Sequence, residues 1–335
     1  MKAGFRLLLV CIAMLATPHP ALAEADEVRI AQPYGVIYLP SYVVVDRQLI
    51  QKHAKALGLG DIKVTLTRLS SGPAGSDMIL SGNADFAMGG YGPMLTLWDK
   101  TRGPQKVKGV MALSSSPIFL ISTDPRIRSL RDFGENDRIA VSAVKVTLQA
   151  IVLQMAAAKE FGWENRFKFD PLTVSMANPD GMAAILSGAG EVRTQAAILP
   201  FAVEEMESGK AHLVMTSDEI WGGKASTAVL FGTEKFHSQN PKLYAALVAA
   251  FEEAIGFVNA EPAAAAAIYV NNEPTKKGVA WIEKILRDKS LIEFTPLPQR
   301  TMLFADFVAK LGTLKTPPKI WSEVFFDNMA GKPGS

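Results

Sequence analysis

The stretch at residues 81–93, SGNADFAMGGYGP, constrains the fold of this chain more than any other. Residues 84–88 are a short apolar run between turn residues, which is typical of a buried strand in a parallel sheet. We expect a helix to begin at Pro93, because the missing N–H of proline would be unpaired at that position anyway. A strand, a glycine turn and a helix N-terminus leave free N–H groups at the sheet edge where open α/β folds bind small ligands.

One such turn is also an ordinary strand-to-helix connection, so the neighbouring turns carry the argument. Strands predicted at residues 28–31, 63–69 and 107–113 are likewise followed by small polar residues, glycine or ring side chains. Loops that follow the strands of a parallel sheet open on the same edge, so four such turns predict a lined cleft. Apolar residues at helical spacing predict one helix over residues 39–57.

The pattern of strands and helices restarts after residue 125, which predicts a second α/β unit. Strands predicted at residues 118–122 and 228–232 cross between the two units. We therefore expect an α/β fold of two domains joined by two crossing strands, with the ligand cleft between them. Lobe 1 is predicted to comprise residues 24–117 and 229–335, and lobe 2 residues 118–228.

Residues 1–23 have the pattern of a secretory signal peptide. A basic N-terminus precedes an apolar core at residues 7–16, and small residues lead to a predicted cleavage site after Ala23. This core is too short to span a membrane. It contains the only cysteine, Cys11, so the mature chain would have no disulfide and no thiolate metal site. Export without disulfides suits a bacterial periplasm.

The charge of the mature chain excludes two classes of partner. Removing Lys2 and Arg6 lowers Lys plus Arg from 35 to 33, which equals the 33 Asp plus Glu. Nucleic acids and anionic membranes select for positive excess, so we expect no nucleic-acid binding and no direct membrane insertion. His53, His212 and His237 lie in unrelated segments, so we also expect no metal site and no cofactor.

Four segments resemble the nitrate/sulfonate/taurine-type periplasmic solute-binding proteins of ABC transporters, a family that also includes thiamine-precursor binders. They are SGNADFAMGGYGP at 81–93, PDGMAAILSGAGEV at 179–192, NPKLYAALVAAFEEAIGFVNAEP at 240–262 and FADFVAKLGTLKTPPKIWSEVFF at 304–326. The resemblance implies the type II two-lobe periplasmic-binding-protein fold, which closes on one small molecule and delivers it to a membrane permease driven by an ATPase. We expect a monomer. Members often carry an acidic residue after the second segment, where this chain has Arg193.

The candidate ligand-binding residues lie in the turns that follow predicted strands. They are Gln32, Tyr34, Tyr38, Ser71, Gly72, Gly90, Tyr91, Ser115, Lys145, Thr147, Pro200 and Trp221. Donors at Ser71, Gly90, Tyr91 and Thr147, aimed by helix N-termini, suit a sulfonate, nitrate or carboxylate, for which Lys145 is a further candidate. The rings of Tyr34, Tyr91 and Trp221 suit an apolar or planar face, and a pyrimidine-like ring would also use Gln32. The sequence leaves both classes of ligand open.

Several of these residues also have a purely structural interpretation. Tyr34 and Tyr38 are suited to packing near a turn, Lys145 to a solvated loop, and Trp221 to the core of a lobe. A change in ligand affinity on substitution would separate the two interpretations.

The leading interpretation is a binding protein without catalytic residues. The alternative is an enzyme on the same scaffold, because pyrimidine synthases of thiamine biosynthesis share it; a cleaved export signal and a mature chain without cysteine count against this. A secreted hydrolase is the third option, but the chain has no Gly-x-Ser-x-Gly, no His-Glu-x-x-His and no phosphate-loop lysine motif. A ligand recovered unchanged after incubation would favour binding over catalysis.

Overall fold

The computed structural model describes residues 23–273 and 275–335. The predicted signal peptide, apart from Ala23, lies outside these residues. Within them the chain forms two β-sheets, of six and five strands, with helices on their faces.

Strands and helices alternate along most of the chain, as the sequence predicts. The N-terminal elements are β1 (Glu27–Pro33), α1 (Leu39–Asp46), α2 (Leu49–Ala56), β2 (Lys63–Leu69), α3 (Gly72–Leu80), β3 (Phe86–Gly89), α4 (Tyr91–Lys100) and β4 (Val107–Ser115). The middle elements are β5 (Phe119–Ser122), β6 (Arg138–Val141), α5 (Leu148–Phe161), β7 (Thr173–Ser175), α6 (Asn178–Ser187), β8 (Val192–Ala197), α7 (Phe201–Glu207), β9 (His212–Thr216) and α8 (Ser217–Trp221). The C-terminal elements are β10 (Ser226–Thr233), α9 (Glu234–Gln239), α10 (Pro241–Ala260), α11 (Pro262–Asn272), α12 (Val279–Arg287), β11 (Glu293–Phe294) and α13 (Thr301–Lys310).

The first sheet has the strand order β11-β4-β10-β3-β1-β2. Strand β1 is parallel to β2 and β3, whereas β10 is antiparallel to β3 and β4. The four N-terminal strands therefore point the same way, and the turns after them open on one edge. We call this sheet with its helices α1–α4 and α9–α13 the first lobe.

The second sheet has the order β7-β6-β8-β5-β9. Strand β6 is parallel to β7 and β8, and β5 is antiparallel to β8 and β9. The carboxyl ends of β6, β7 and β8 thus share one edge. We call this sheet with helices α5–α8 the second lobe.

The chain passes between the lobes twice, from β4 to β5 and from β9 through α8 to β10. The two strands predicted to cross, β5 and β10, each run antiparallel to both neighbouring strands of their sheet. Side chains tie the two crossings together: the Ser116 and Thr227 hydroxyl oxygens are 3.0 Å apart, and the Ile118 N–H donates to Ser217 Oγ at 2.9 Å. The predicted architecture of two α/β domains joined by two crossings is confirmed.

Two helix predictions were wrong in their boundaries. Residues 39–57 form two helices, α1 and α2, because Gln48 adopts a left-handed conformation with φ of 50°. The helix after β3 begins at Tyr91 instead of Pro93, because the extended Gly90 serves as its N-cap. Pro93 still lies in the first turn, where its missing N–H costs no intrahelical bond.

One described helix, α10, is long and apolar enough to cross a membrane by length and composition. It packs against α1 and α2 and buries Leu243, Leu247 and Phe251 completely. Half of its apolar 18-residue stretch is buried inside the first lobe, so α10 is a core helix of that lobe.

Candidate functional site

A cavity lies between the lobes, at the edges where the strands of both sheets end. Its walls in the first lobe include Pro33, Ile37, Tyr38, Gly72, Gly89 and Gly90. Its walls in the second lobe are Ser142, Thr147, Leu148, Gln149, Asn178 and Ile198. Its volume is about 30 Å³, which is room for about two water molecules. The two lobes therefore lie close together across the cavity, an arrangement that we call closed.

Four helices present their N-termini to this cavity. Helices α3 and α6 begin at the lining residues Gly72 and Asn178, and the lining residues Gly90 and Thr147 are the N-caps of α4 and α5. The first N–H groups of a helix have no intrahelical acceptor, and the helix dipole favours negative charge there. Among the described residues, no Asp, Glu, Lys or Arg side chain lines the cavity. Its electrostatic character thus comes from backbone dipoles, which favour a small anion.

Thr147 belongs to this arrangement because of how it caps α5. Its hydroxyl oxygen accepts from the Ala150 N–H at 3.3 Å, and its hydroxyl donates to the Ala143 carbonyl at 2.8 Å. The residue is 4% exposed. The cap satisfies one N–H of the first turn and holds the start of α5 at the cavity wall.

A group of amide side chains forms the wall of the second lobe, and sequence reasoning missed it. Gln149 Nε2 donates to Asn178 Oδ1 at 2.8 Å and to the Ala196 carbonyl at 2.5 Å. Gln149 Oε1 accepts from the Ser142 N–H at 3.0 Å, and the Asn178 carbonyl accepts from Gln195 Nε2 at 3.0 Å. These bonds join the starts of α5 and α6 to β8. The sequence signal that could have indicated this wall is the presence of the polar residues Gln149 and Asn178 in the first turns of the helices that follow β6 and β7.

The lobes approach each other most closely through glycines of the first lobe. A Cβ placed on Gly90 would lie 2.6 Å from the Cβ of Leu148. A Cβ on Gly92 would lie 2.6 Å from Ile151 Cδ1 and from the Val146 carbonyl oxygen. Contacts this short do not occur between real side chains, so the closed arrangement requires glycine at both positions.

Two further contacts join the lobes away from the cavity. The Trp163 ring of the second lobe packs edge-on against Phe307 of α13, with ring centroids 5.8 Å apart. On α12 of the first lobe, Trp281 Nε1 donates to the Glu207 carboxylate of α7 at 2.7 Å. The closed arrangement therefore rests on contacts around the cavity as well as at its walls.

The structure brings several predicted ligand-binding residues together. Those that line the cavity are Tyr38, Gly72, Gly90 and Thr147. Ser71 is the buried N-cap of α3, and Pro200 precedes α7 next to the wall residue Ile198. The turns near residues 71, 91 and 147 thus surround one hollow, as the predicted cleft requires.

Other predicted residues lie outside the cavity walls. Gln32 is fully buried below the walls, Tyr34 is partly buried beside them, and Ser115 is buried at the crossing. Lys145 is exposed, with φ of 68°, in a separate groove formed with Val146 and Leu311. Their contact with a ligand stays a prediction.

Tyr91 and Trp221 also turn away from the cavity. The Tyr91 ring stacks on Phe304 of α13 at 5.1 Å, and the Trp221 ring meets the same Phe304 edge-on at 5.1 Å. Burial raises the pKa of Tyr91 to about 12, and its hydroxyl donates to the Gln299 carbonyl. The Tyr91 ring thus packs within the first lobe, and the Trp221 ring of α8 packs across the lobes against α13; contact of either residue with a ligand stays a prediction.

Arg193, where the resemblance led us to expect an acidic residue, is exposed at the amino end of β8. The cavity lies at the carboxyl end of that strand, beyond Ala197. This departure from the family pattern therefore does not alter the cavity walls.

Three solved structures that are similar to this chain are named as binding proteins. The alkanesulfonate-binding protein SsuA from Xanthomonas axonopodis pv. citri, bound to MOPS, superposes with a TM-score of 0.68 at 16% identity, over 88% of this chain and 96% of that one. The periplasmic aliphatic sulphonate binding protein SsuA from Escherichia coli gives 0.65 at 14%, over 91% and 99%. The periplasmic nitrate-binding protein NrtA from Synechocystis PCC 6803 gives 0.69 at 13%, over 90% and 85%.

The chain therefore has the two-lobe fold of the periplasmic binding proteins. The profile of the NMT1-like family matches residues 23–270, and the chain belongs to that family. The predicted resemblance to the nitrate/sulfonate/taurine-type binding proteins is confirmed. No curated protein sequence matches the chain.

Proposed function

We propose that this chain is the periplasmic substrate-binding component of an ABC importer and captures a small anion such as a sulfonate or nitrate. The observation that carries the proposal is the cavity to which both lobes present helix N-termini and uncharged walls. Membership of the NMT1-like family supports it, as do the sulfonate and nitrate named for the structural neighbours.

The energies available from such walls suffice for useful affinity. Micromolar binding requires about −8 kcal/mol. Hydrogen bonds to a charged group contribute about 1.5–3 kcal/mol each, and a helix terminus about 0.3–1 kcal/mol. Three such hydrogen bonds and four helix termini thus supply roughly 6–13 kcal/mol before ordering costs are subtracted. We propose that Tyr38, Gly72, Gly90 and Thr147 make the direct contacts.

The uncharged walls also narrow the class of anion. A zwitterion such as taurine would bring an ammonium group that no carboxylate of the described walls can pair, and burying an unpaired charge is costly. An anion without a cationic group fits better. A pyrimidine-like ring is the second candidate, because the Tyr38 ring and the Gln149 and Asn178 amides share the cavity.

The remaining features of the proposal follow from the fold and the N-terminal sequence. We propose lobe boundaries at residues 24–117 with 229–335 and at 118–228, which the positions of the two crossings support. Cleavage after Ala23 would release the mature protein to the periplasm. There it would act as a monomer and deliver its ligand to a membrane permease, without converting it.

A thermal-shift panel tests this function. Nitrate, methanesulfonate, taurine and an aminopyrimidine are each added to the purified protein, because a ligand that binds the native state raises the melting temperature by mass action. We expect a shift with nitrate or methanesulfonate and none with taurine, and the ligand should be recovered unchanged. A shift with the aminopyrimidine alone would favour the second candidate, and a converted product would favour the enzyme alternative.

A further inference from the structure

A buried carboxylate at the end of α11 holds the segment through which the first lobe touches the second. Glu273 is 7% exposed. Its oxygens accept from the Gly35 N–H at 3.1 Å, the Tyr42 hydroxyl at 2.6 Å and the Tyr269 hydroxyl at 2.9 Å. These partners are all donors, which is the pattern that suits an ionised carboxylate. Burial raises the pKa of Glu273, while these donors and the charge of Arg68 oppose the rise.

The Gly35 segment is the part of the first lobe that this carboxylate fixes. Gly35 has φ of 130°, and a Cβ on it would lie 2.9 Å from Ile198 Cδ1 and 3.0 Å from the Leu199 carbonyl oxygen. The next residue, Val36, donates its N–H to that Leu199 carbonyl at 3.1 Å. This is a backbone hydrogen bond between the lobes. On either side of it, Pro33 and Ile37 line the cavity.

We propose that Glu273 is a positioning residue for lobe closure, which sets the Gly35 segment so that the Val36 N–H meets the Leu199 carbonyl. The inference rests on the proposed function, since closure matters only if the cavity takes a ligand. Glu273 itself is absent from the cavity walls and acts through the segment it holds. A buried N–H that loses its acceptor costs about 1–3 kcal/mol, so the Gly35 segment is favoured in the position where its N–H meets Glu273.

Two substitutions of Glu273 distinguish the effect of its hydrogen-bond acceptors from the effect of its side-chain volume. Glu273→Gln keeps an oxygen that can accept from Gly35, and the tyrosine hydroxyls can turn to accept from its NH₂. Glu273→Met keeps the volume but removes every strong acceptor. Tyr269→Phe is the matched control, because it removes one hydroxyl from the group and leaves the bond between Glu273 and Gly35 intact.

The first measurement needs no ligand. Hydrogen exchange of the Gly35 amide, followed by NMR, reports its bond to residue 273 whether the lobes are open or closed. We expect exchange to accelerate at least about tenfold in Glu273→Met and to stay within about threefold in Glu273→Gln and Tyr269→Phe. Equal acceleration of amides throughout the first lobe in both Glu273 variants would overturn the proposal, since it would indicate a general loss of stability. Unchanged exchange in Glu273→Met would also overturn it.

The second measurement is the affinity for nitrate and methanesulfonate by calorimetry. We expect about tenfold weaker binding for Glu273→Met and near-parental binding for the other two variants. Parental affinity in Glu273→Met would overturn the role in closure even if Gly35 exchanges faster. If the unaltered protein binds neither anion, the proposed function fails, and the exchange measurement still decides whether Glu273 positions the segment.

Discussion

The substitution Gly92→Ala adds one methyl group at the contact between the lobes and so tests that contact. Gly92 lies in the first turn of α4, and a Cβ placed on it would be 2.6 Å from Ile151 Cδ1 and from the Val146 carbonyl oxygen of the second lobe. Ordinary contact begins at 3.4 Å, so Gly92→Ala requires the lobes to separate there by 3.4 − 2.6 = 0.8 Å. Rotation of a side chain cannot relieve the contact fully, because one neighbour is backbone.

The expected cost follows from the packing of closed interfaces. Forcing a methyl group into a packed contact costs about 1–3 kcal/mol, which weakens the closed, ligand-bound form by about 5- to 150-fold. Alanine is also favoured over glycine within a helix by about 0.5–1 kcal/mol. The first lobe of Gly92→Ala should therefore fold at least as well as that of the parent while the ligand binds more weakly.

Calorimetry with nitrate and methanesulfonate, together with thermal melting, measures both effects. Gly256→Ala is the matched control, because Gly256 lies within α10 and a Cβ there meets nothing within 4 Å. It should bind the anions like the parent. If the parent binds an anion and Gly92→Ala binds the same anion with equal affinity, the closure argument is refuted. An equal loss of affinity in Gly256→Ala would refute it too.

Three further predictions concern single side chains. Leu148→Ala enlarges the cavity, so longer alkanesulfonates should bind better relative to methanesulfonate; calorimetry with a chain-length series checks this. Thr147→Ala removes the cap of α5 and should lower the free energy of unfolding by about 0.5–2 kcal/mol in urea titrations. Burial raises the pKa of Glu205 well above its usual range, and neither carboxylate oxygen has a hydrogen-bond partner among the described residues. The folded state thus holds a proton that the unfolded chain releases, so stability falls as pH rises from the unfolded to the folded pKa. Glu205→Gln should remove this slope and be more stable than the parent at pH 8, as urea titrations at pH 5 and pH 8 will show.

The turns around the cavity could be predicted because their signals are local. Glycine, proline and small polar residues between an apolar run and a helix indicate a strand-to-helix turn wherever they occur. That information placed Gly72 and Gly90 at the edge of the first sheet and Thr147 at the edge of the second. The break at Gln48 could not be predicted, because an apolar stripe continues unchanged through two helices that pack on the same core.

The directions of side chains could not be predicted, because they depend on distant partners. Tyr91 and Trp221 follow strands, but their rings pack on Phe304, which lies far along the chain in α13. Gln149 and Asn178 are the opposite case, because the sequence did not single them out. Polar residues in the first turn of a helix usually indicate a solvated face. Gln149 and Asn178 lie in a cavity wall only because α5, α6 and β8 meet there.

The proposed attraction of an anion by helix N-termini would make lobe closure part of the affinity. The field of a helix end falls off within about one turn, so an anion held by one lobe interacts with two of the four termini. Helices α3 and α4 belong to the first lobe, and α5 and α6 to the second, so all four act together only when the lobes meet. At about 0.3–1 kcal/mol for each terminus, closure adds roughly 0.6–2 kcal/mol before any new hydrogen bond is counted. A fixed lysine in one wall would bind an anion in the open form too. With uncharged walls, the proposed anion would be held by the closed form, so the contacts at Gly92 and Gly35 should act on affinity without touching the ligand.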